Sequence, residues 1–272
     1  MSYKDTVRSI KKKIKRAKWR YQNQLVYLKF PHSIVGRELD ILNKKFLVVA
    51  PHSDDEYVGC YRLLSQQNDM KKLDVFCVGL TGYEKSQDIF ESRKKEFMNA
   101  CKKKGVNGIF CINGDWKTEL CSLYRKNNYD YVAVPSLIDW HWEHREVSKY
   151  VLSIVKENTS ILFYQVSVPI SYSSINSYLK YDKYSKWDDF YDSYPSQYYM
   201  PVERFRITDN SQRLDRNIIE PYWLLSYNQI PLFLNRYTTI EESRLNDLKN
   251  HINNLYKIRS LSKTLYELLS LC

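Results

Sequence analysis

The chain has 272 residues, 43% of them apolar, and a formal net charge of +11. That length suits one large domain or two small ones and allows a real core. No run of 18 apolar residues exists and no apolar segment follows the basic N-terminus, so neither a transmembrane helix nor a secretory signal is expected.

The charge is local. Residues 1–20 hold nine Lys/Arg and one Asp, whereas the remaining 252 residues carry 33 basic and 30 acidic groups, a net of +3. A nearly balanced body argues against nucleic acid as a partner. The cysteines (Cys60, Cys77, Cys101, Cys111, Cys121, Cys272) form no C-x-x-C pair. They read as buried, reduced thiols of a cytoplasmic protein rather than a disulfide framework or a thiolate zinc site.

In chain order, Val7, Ile10, Ile14, Ala17 and Tyr21 recur on one face of a helix over 7–21, with lysines and arginines on the other. Two readings stand for it: a helix packed on the domain, or a peripheral anchor on the anionic inner face of a membrane. Residues 22–45 read as a connector with a strand near Leu25–Leu28. Strand-like runs then alternate with helical ones. Strands are expected at Phe46–Ala50, Leu73–Leu80, Gly108–Ile112, Tyr129–Pro135 and Ile161–Val166. Helices are expected at Tyr57–Gln67, Ser86–Lys104 (stopped by Gly105) and Glu143–Glu157. The stretch after Asn113-Gly114, with Asp115 and Trp116, reads as a turn or as pocket lining.

This alternation predicts an α/β fold: a Rossmann-like, doubly wound, mostly parallel sheet with helices on both faces. The pattern changes near residue 167. Residues 172–199 hold eight tyrosines with Trp187 and Phe190 and little periodicity. Thr239-Ile-Glu-Glu242 resembles a capping box opening one long helix through Leu245, Leu248, Ile252, Leu255 and Leu265. The expected organisation is a basic helix and connector (1–45) and a domain over 46–272, divided into an α/β core (46–166) and an aromatic-rich, helical C-terminal extension (167–272).

Chemistry gathers at two places. His52, Asp54 and Asp55 follow the first strand of the alternation, and Asp139-Trp-His-Trp-Glu-His144 follows the fourth. In an open α/β sheet those two strands are neighbours, and ligands bind beyond their carboxyl ends. Clusters about 90 residues apart should therefore meet in one crevice. A His/Asp/His set suits Zn²⁺ and leaves a fourth position for water, as in catalytic sites. A spare carboxylate nearby can accept a proton.

Pro51-His-Ser-Asp-Asp-Glu56 resembles the PHPDDE-type motif of the PIG-L/LmbE-like zinc de-N-acetylases, and His141-Trp-Glu-His144 resembles that family's H-x-x-H motif. Thr81-Gly-Tyr-Glu84 and Arg93-Lys-Lys-Glu96, followed by Ala100 and Gly105, add to the likeness. It covers roughly residues 46–166, with a weaker echo at Ser196-Gln197. The resemblance implies that His52, Asp55 and His144 bind zinc, that Asp54 is the general base, that His141 stabilises an oxyanion oriented by Glu143, and that Arg93 contacts a sugar. It implies hydrolysis of an N-acetyl amide on an amino sugar, nucleotide- or lipid-linked. Ser53 stands where the family has Pro, and Trp142-Glu143 where it has Pro-Asp.

Blander readings stand beside these. An Asp-Asp-Glu run is commonly a solvated turn, and Arg93 with Glu96 is also the spacing of a surface ion pair. His32 and His251 have no neighbours of suitable type. The aromatic segment covers the sheet or stacks on sugar rings. Rivals to the deacetylase are an amidase of another sugar or thiol-glycoside conjugate, and a basic membrane-binding protein with a vestigial zinc site.

Overall fold

The computed structural model describes residues 3–29, 36–80, 87–112, 114–181, 186–197, 213–214 and 217–270. Helix α1 (Tyr3–Lys29) is longer than the periodicity of 7–21 suggests. It absorbs Leu25–Leu28, so the strand expected there is not formed. A four-residue apolar run has no period of its own; here Gln22 and Val26, one turn apart, are both buried and extend the helix.

The sheet begins with β1 (Arg37–Glu38) and β2 (Lys45–Ala50). It continues with β3 (Lys72–Cys77), β4 (Asn107–Phe110), β5 (Tyr131–Pro135), β6 (Ser160–Tyr164) and β7 (Ser177–Tyr181), and ends with β8 (Arg213–Leu214) and β9 (Asn217–Leu225). The spatial order is β1-β7-β9-β6-β5-β2-β3-β4, with β8 beside β9. Strands β4, β3, β2, β5 and β6 are parallel neighbours; β9 is antiparallel to both β6 and β7. Order reverses at β2, which pairs with β3 on one side and β5 on the other. The doubly wound, mostly parallel sheet is therefore as the sequence predicts. Strands β7 and β9 from the C-terminal segment and β1 from the N-terminal one join that same sheet.

Side chains alternate across the strands, because successive residues point to opposite faces. Leu47 and Val49 of β2 join Val132, Val134, Ile161 and Phe163 in one core. Phe46 and Val48 join Val75, Ala133, Leu162 and Tyr164 in the other. The first core is covered by α4 (Trp116–Lys126), α5 (Trp142–Ile154), α7 (Ile230–Tyr237), α8 (Glu242–Asn250) and α9 (Leu255–Leu269). The second is covered by α2 (Asp55–Ser65), α3 (Gln87–Lys104) and α6 (Lys186–Ser193). Phe190 and Tyr194 are fully buried there, so these aromatics of 172–199 are core.

Three local expectations are corrected. The Asp115/Trp116 stretch opens α4 rather than a turn, with the Asp115 carboxylate accepting from Thr118 N at 3.2 Å. The long C-terminal helix is two helices. Asn254 breaks it and caps α9, accepting from Lys257 N at 3.2 Å. The capping box at Thr239 is not formed: Thr239 Oγ1 donates to Arg236 O, and Glu241 is the N-cap of α8 without a side-chain bond. Gly105 does stop α3, at φ 68°, with Val106 N returning to Cys101 O at 3.0 Å. No helix among the described residues is long and apolar enough to cross a membrane.

Candidate metal centre

The register of β2 on β5 sets the site. Phe46, Leu47 and Val48 lie opposite Tyr131, Val132 and Ala133, so both chains leave the sheet at the same end. Beyond β2, Pro51–Asp54 turns into α2. Beyond β5, Ser136–His141 turns into α5, whose N-cap is His141. The second turn is held by Asp139, which is fully buried. Its Oδ1 accepts from His141 N at 2.8 Å and its Oδ2 from Ser167 N at 2.9 Å. Arg145 donates to the carbonyls of Asp139 and Trp140, each at 2.9 Å, and pairs with Glu242. The first turn is held by Glu56, whose Oε2 accepts from Asp54 N at 3.2 Å and whose Oε1 accepts from Tyr194 Oη–H. Asp54 itself has φ 152°, a positive value that leaves its backbone strained.

The two turns bring His52, Asp55 and His144 into one triangle. His52 Nδ1 is 3.0 Å from His144 Nε2 and 3.1 Å from Asp55 Oδ2, and His144 Nε2 is 3.3 Å from Asp55 Oδ2. Ligands held about 2.1 Å from a tetrahedral zinc stand about 3.4 Å apart, so three donors at these separations fit such an ion with little adjustment. His141 also belongs to the cluster: the nitrogens of His52, His141 and His144 that could serve as ligands lie within 4.8 Å of one another.

Carboxylates stand behind the imidazoles. Glu143 Oε2 is 2.8 Å from His52 Nε2, the nitrogen turned away from the triangle. Asp139 Oδ2 is 3.3 Å from His144 Nδ1, again the far nitrogen, an ion-pair approach rather than a formed hydrogen bond. A histidine that ligates a metal commonly offers its other N–H to such a carboxylate, which fixes tautomer and ring orientation. Glu143 is also 3.5 Å from His141 Nδ1, an approach rather than a hydrogen bond, and that buried nitrogen has no hydrogen-bond partner. Glu143 therefore bears more directly on His52 than on His141.

The electrostatics follow from burial and neighbours. Burial favours neutral His52, but Asp55 and Glu143 outweigh it and raise its pKa to about 9. His144 is raised as well: burial opposes this, and Asp55 and Asp139 overcome it. Asp55 would be lifted by burial, yet His144 and His52 hold it well below the usual carboxylate range. Its neighbour Asp54 is pushed up to about 7 by burial and by the Asp55 charge, with Arg93 pulling the other way. Two adjacent carboxyls thus sit in opposite protonation regimes. His141 is lowered to about 4 by burial and by His144 and His52, so it is neutral at pH 7.

Arg93, on α3, reaches this point. Its Nη1 lies 3.6 Å from Asp54 Oδ2 and 3.5 Å from Ser53 O. With its amide oriented to satisfy both partners, Gln197 accepts from the same guanidinium. Arg93 is therefore no partner of Glu96 here; Glu96 instead accepts from Ser196 N at 2.9 Å and Ser196 Oγ at 2.6 Å. The segment Thr81-Gly-Tyr-Glu84 and His32 lie outside the described residues. His251 caps α8, far along the chain from both turns.

All seven residues singled out in the sequence meet at one place. Four others were given no role there: Asp139, Glu56, Tyr194 and Gln197. Asp139 and Glu56 had a signal, since each is an acid inside one of the two motifs. Gln197 had only the weak family echo at Ser196-Gln197, and Tyr194 had none, because nothing in their own segment says which helix it folds against.

No family model matches the sequence, and no curated protein matches it. Solved structures do. A conserved protein from Thermus thermophilus is 21% identical with a TM-score of 0.51, over 67% of this chain and 94% of that one. A deacetylase of the teicoplanin biosynthetic pathway is 14% identical with a TM-score of 0.51, over 66% and 97%. An A40926 pseudoaglycone deacetylase is 13% identical with a TM-score of 0.50, over 68% and 98%. The chain thus shares the α/β fold of these solved structures, two of which are deacetylases.

Proposed function

We propose that this chain is a zinc-dependent de-N-acetylase that hydrolyses the N-acetyl amide of an amino sugar, releasing acetate and the free amine. The observation that carries the reading is the triangle of His52, Asp55 and His144, with separations of 3.0 to 3.3 Å, built from two turns on adjacent parallel strands. Two fold neighbours being deacetylases, of the teicoplanin pathway and of the A40926 pseudoaglycone, supports the same reaction class.

His52, Asp55 and His144 would hold the zinc. When bound, such an ion polarises an acyl oxygen and acidifies a water at its open position. The rest is the work of the chain. Asp54 is the proton acceptor. It stands beside the triangle, and a pKa near 7 suits a group that must take a proton and return it at neutral pH. The amide nitrogen leaves as an amine only when protonated, so the proton that Asp54 takes from water is returned to that nitrogen. His141 is neutral and half-buried, and donates a hydrogen bond to the oxygen on which negative charge develops. Glu143 and Asp139 orient the two ligand imidazoles. Arg93, braced by Gln197 and Ser53 O, keeps a positive charge beside Asp54 and offers its remaining N–H groups to a sugar hydroxyl. A nucleotide- or lipid-linked carrier would extend away from this pocket.

Mass spectrometry on a panel of N-acetylated amino sugars tests the reading. Zinc-loaded protein should remove one acetyl group from at least one member, and chelator-treated protein from none. Fully zinc-loaded protein that deacetylates no member overturns it.

A further inference from the structure

We propose that the exposed face of α1 docks on an anionic lipid surface. The inference stands apart from the catalytic reading, because it uses no residue of the metal centre.

A helix turns about 100° per residue, which places Ile10, Ile14, Ala17, Tyr21 and Leu28 within one narrow stripe. All five are exposed: Ile10 by 51%, Ile14 by 63%, Tyr21 by 63% and Leu28 by 78%, with Ala17 in the same class. The side of α1 that meets the domain is a different one. Gln22 and Val26 lie about 100–150° around from the stripe. Gln22 Nε2 donates to Asn253 O at 3.2 Å, and its Oε1 accepts from Leu255 N at 2.7 Å, at the start of α9. Val26 is fully buried. The domain therefore covers one face of α1 and leaves the apolar stripe outward.

The flanks of the stripe identify its occupant. Lys11 and Lys18 border it on one side and Lys13 on the other, all exposed. Residues 1–20 carry nine cationic side chains and one acidic one. An apolar stripe rimmed by cations fits the plane of an anionic bilayer, with the stripe among acyl chains and the ammonium groups at the headgroups. A second copy of the helix fits less well, because two such segments would bring like charges together along their length. Duplex nucleic acid would satisfy the cations and leave the isoleucines in water. The absence of a spanning helix among the described residues makes this a surface contact.

The test is co-sedimentation of the full-length protein with vesicles. Phosphatidylserine/phosphatidylcholine vesicles should bind it at low salt and release it as salt is added, while pure phosphatidylcholine should bind it weakly. Ile10→Asp with Ile14→Asp should abolish binding. Lys11→Gln, Lys13→Gln and Lys18→Gln together should weaken it by about 10²-fold, since each cation near such a surface contributes a few-fold to tenfold. All five positions are exposed, so the melting temperature should not move; if the aspartates lower it, the serine variants at Ile10 and Ile14 replace them. Three results overturn the proposal: no binding to phosphatidylserine vesicles, binding unchanged in the double variant, or a concentration-dependent dimer that Ile14→Asp abolishes, which would make a second copy the occupant.

Discussion

Asp54 and Asp55 are consecutive, yet their surroundings push them apart: Asp55 faces two imidazoles, and Asp54 faces Asp55 and Arg93. Their variants should separate accordingly. His144→Ala and Asp55→Ala should lose zinc and activity together. Asp54→Asn keeps the shape and cannot accept a proton, so zinc should stay while kcat falls by about 10²-fold or more. Zinc stoichiometry measured beside kcat decides this. Glu143 gives a second contrast. If it orients His52, as the 2.8 Å contact indicates, Glu143→Ala should weaken zinc binding by about 10- to 100-fold. If it served only His141, affinity would hold and only kcat would drop. Competition with a chelator of known affinity separates the two. Protons supply a third readout. In the metal-free protein Asp55 and Glu143 raise His52 to about 9 and His144 is raised as well, but their facing nitrogens are 3.0 Å apart, so the pair carries at least one extra proton at pH 7. A ligand imidazole must be neutral. Zinc binding at pH 7 should therefore release at least one proton, and fewer as pH rises past 9, which calorimetry in buffers of different ionisation enthalpy would detect. The sign for folding is the matching one. A raised His pKa stabilises the metal-free fold fully below its unfolded value near 6.5, and that stabilisation fades as pH rises through about 9.

At the level of single elements, α2 is kinked. It runs from Asp55 and is broken at Cys60 (φ −130°, ψ 26°). The break frees backbone donors, and buried Glu220 of β9 takes two of them: Arg62 N at 2.8 Å and Leu63 N at 3.1 Å. One residue before the kink, Gly59 lets the Tyr164 ring lie against the helix; a Cβ there would meet ring carbons at 2.1 to 2.9 Å. Tyr164 is itself tied to Val49 O at 2.9 Å, so the ring is not free to yield. Gly to Ala inside an exposed helix stabilises by about 1 kcal/mol. Here the sign should reverse, with Gly59→Ala destabilising by about 1–3 kcal/mol, as overpacked cores do. Denaturant unfolding of the two proteins measures it. What the sequence reveals at this scale depends on period. The strands Phe46–Ala50 and Tyr129–Pro135, and the helix before Gly105, were legible because apolar pattern and stop signal agree. Helix α4 was not, because its buried residues, Leu120 and Tyr124, make a single i, i+4 pair behind a Gly that reads as a turn. The split between α8 and α9 was hidden because the apolar positions on either side of Asn254 stay in register.

For the molecule as a whole, the meeting of His52, Asp54 and Asp55 with His144 is readable from two short motifs and the rule that the first and fourth strands are neighbours. The walls are not, since they come from the segment where periodicity fails. Tyr194 on Glu56, Gln197 on Arg93 and Ser196 on Glu96 all cross about 100 to 140 residues of chain. Strand β9 likewise completes the edge of β6. A fragment ending at residue 166 would expose that edge and leave the first core without α7, α8 and α9. It should be insoluble or molten, lacking the sharp melting transition of the full chain, by near-ultraviolet circular dichroism. A soluble fragment that binds zinc with native affinity would show that the extension is dispensable to the site.

The attachment of α1 has a consequence in time. The groups that seat it, Asn253 O and Leu255 N, lie more than 230 residues downstream of Gln22. During synthesis, then, α1 leaves the ribosome long before its seat exists. Until residues 253–255 follow, it is a tethered, strongly cationic segment beside an unfinished domain, exposed to whatever anionic surface is nearest, the ribosome's own RNA included. Whichever surface captures it first would set where the rest of the chain folds.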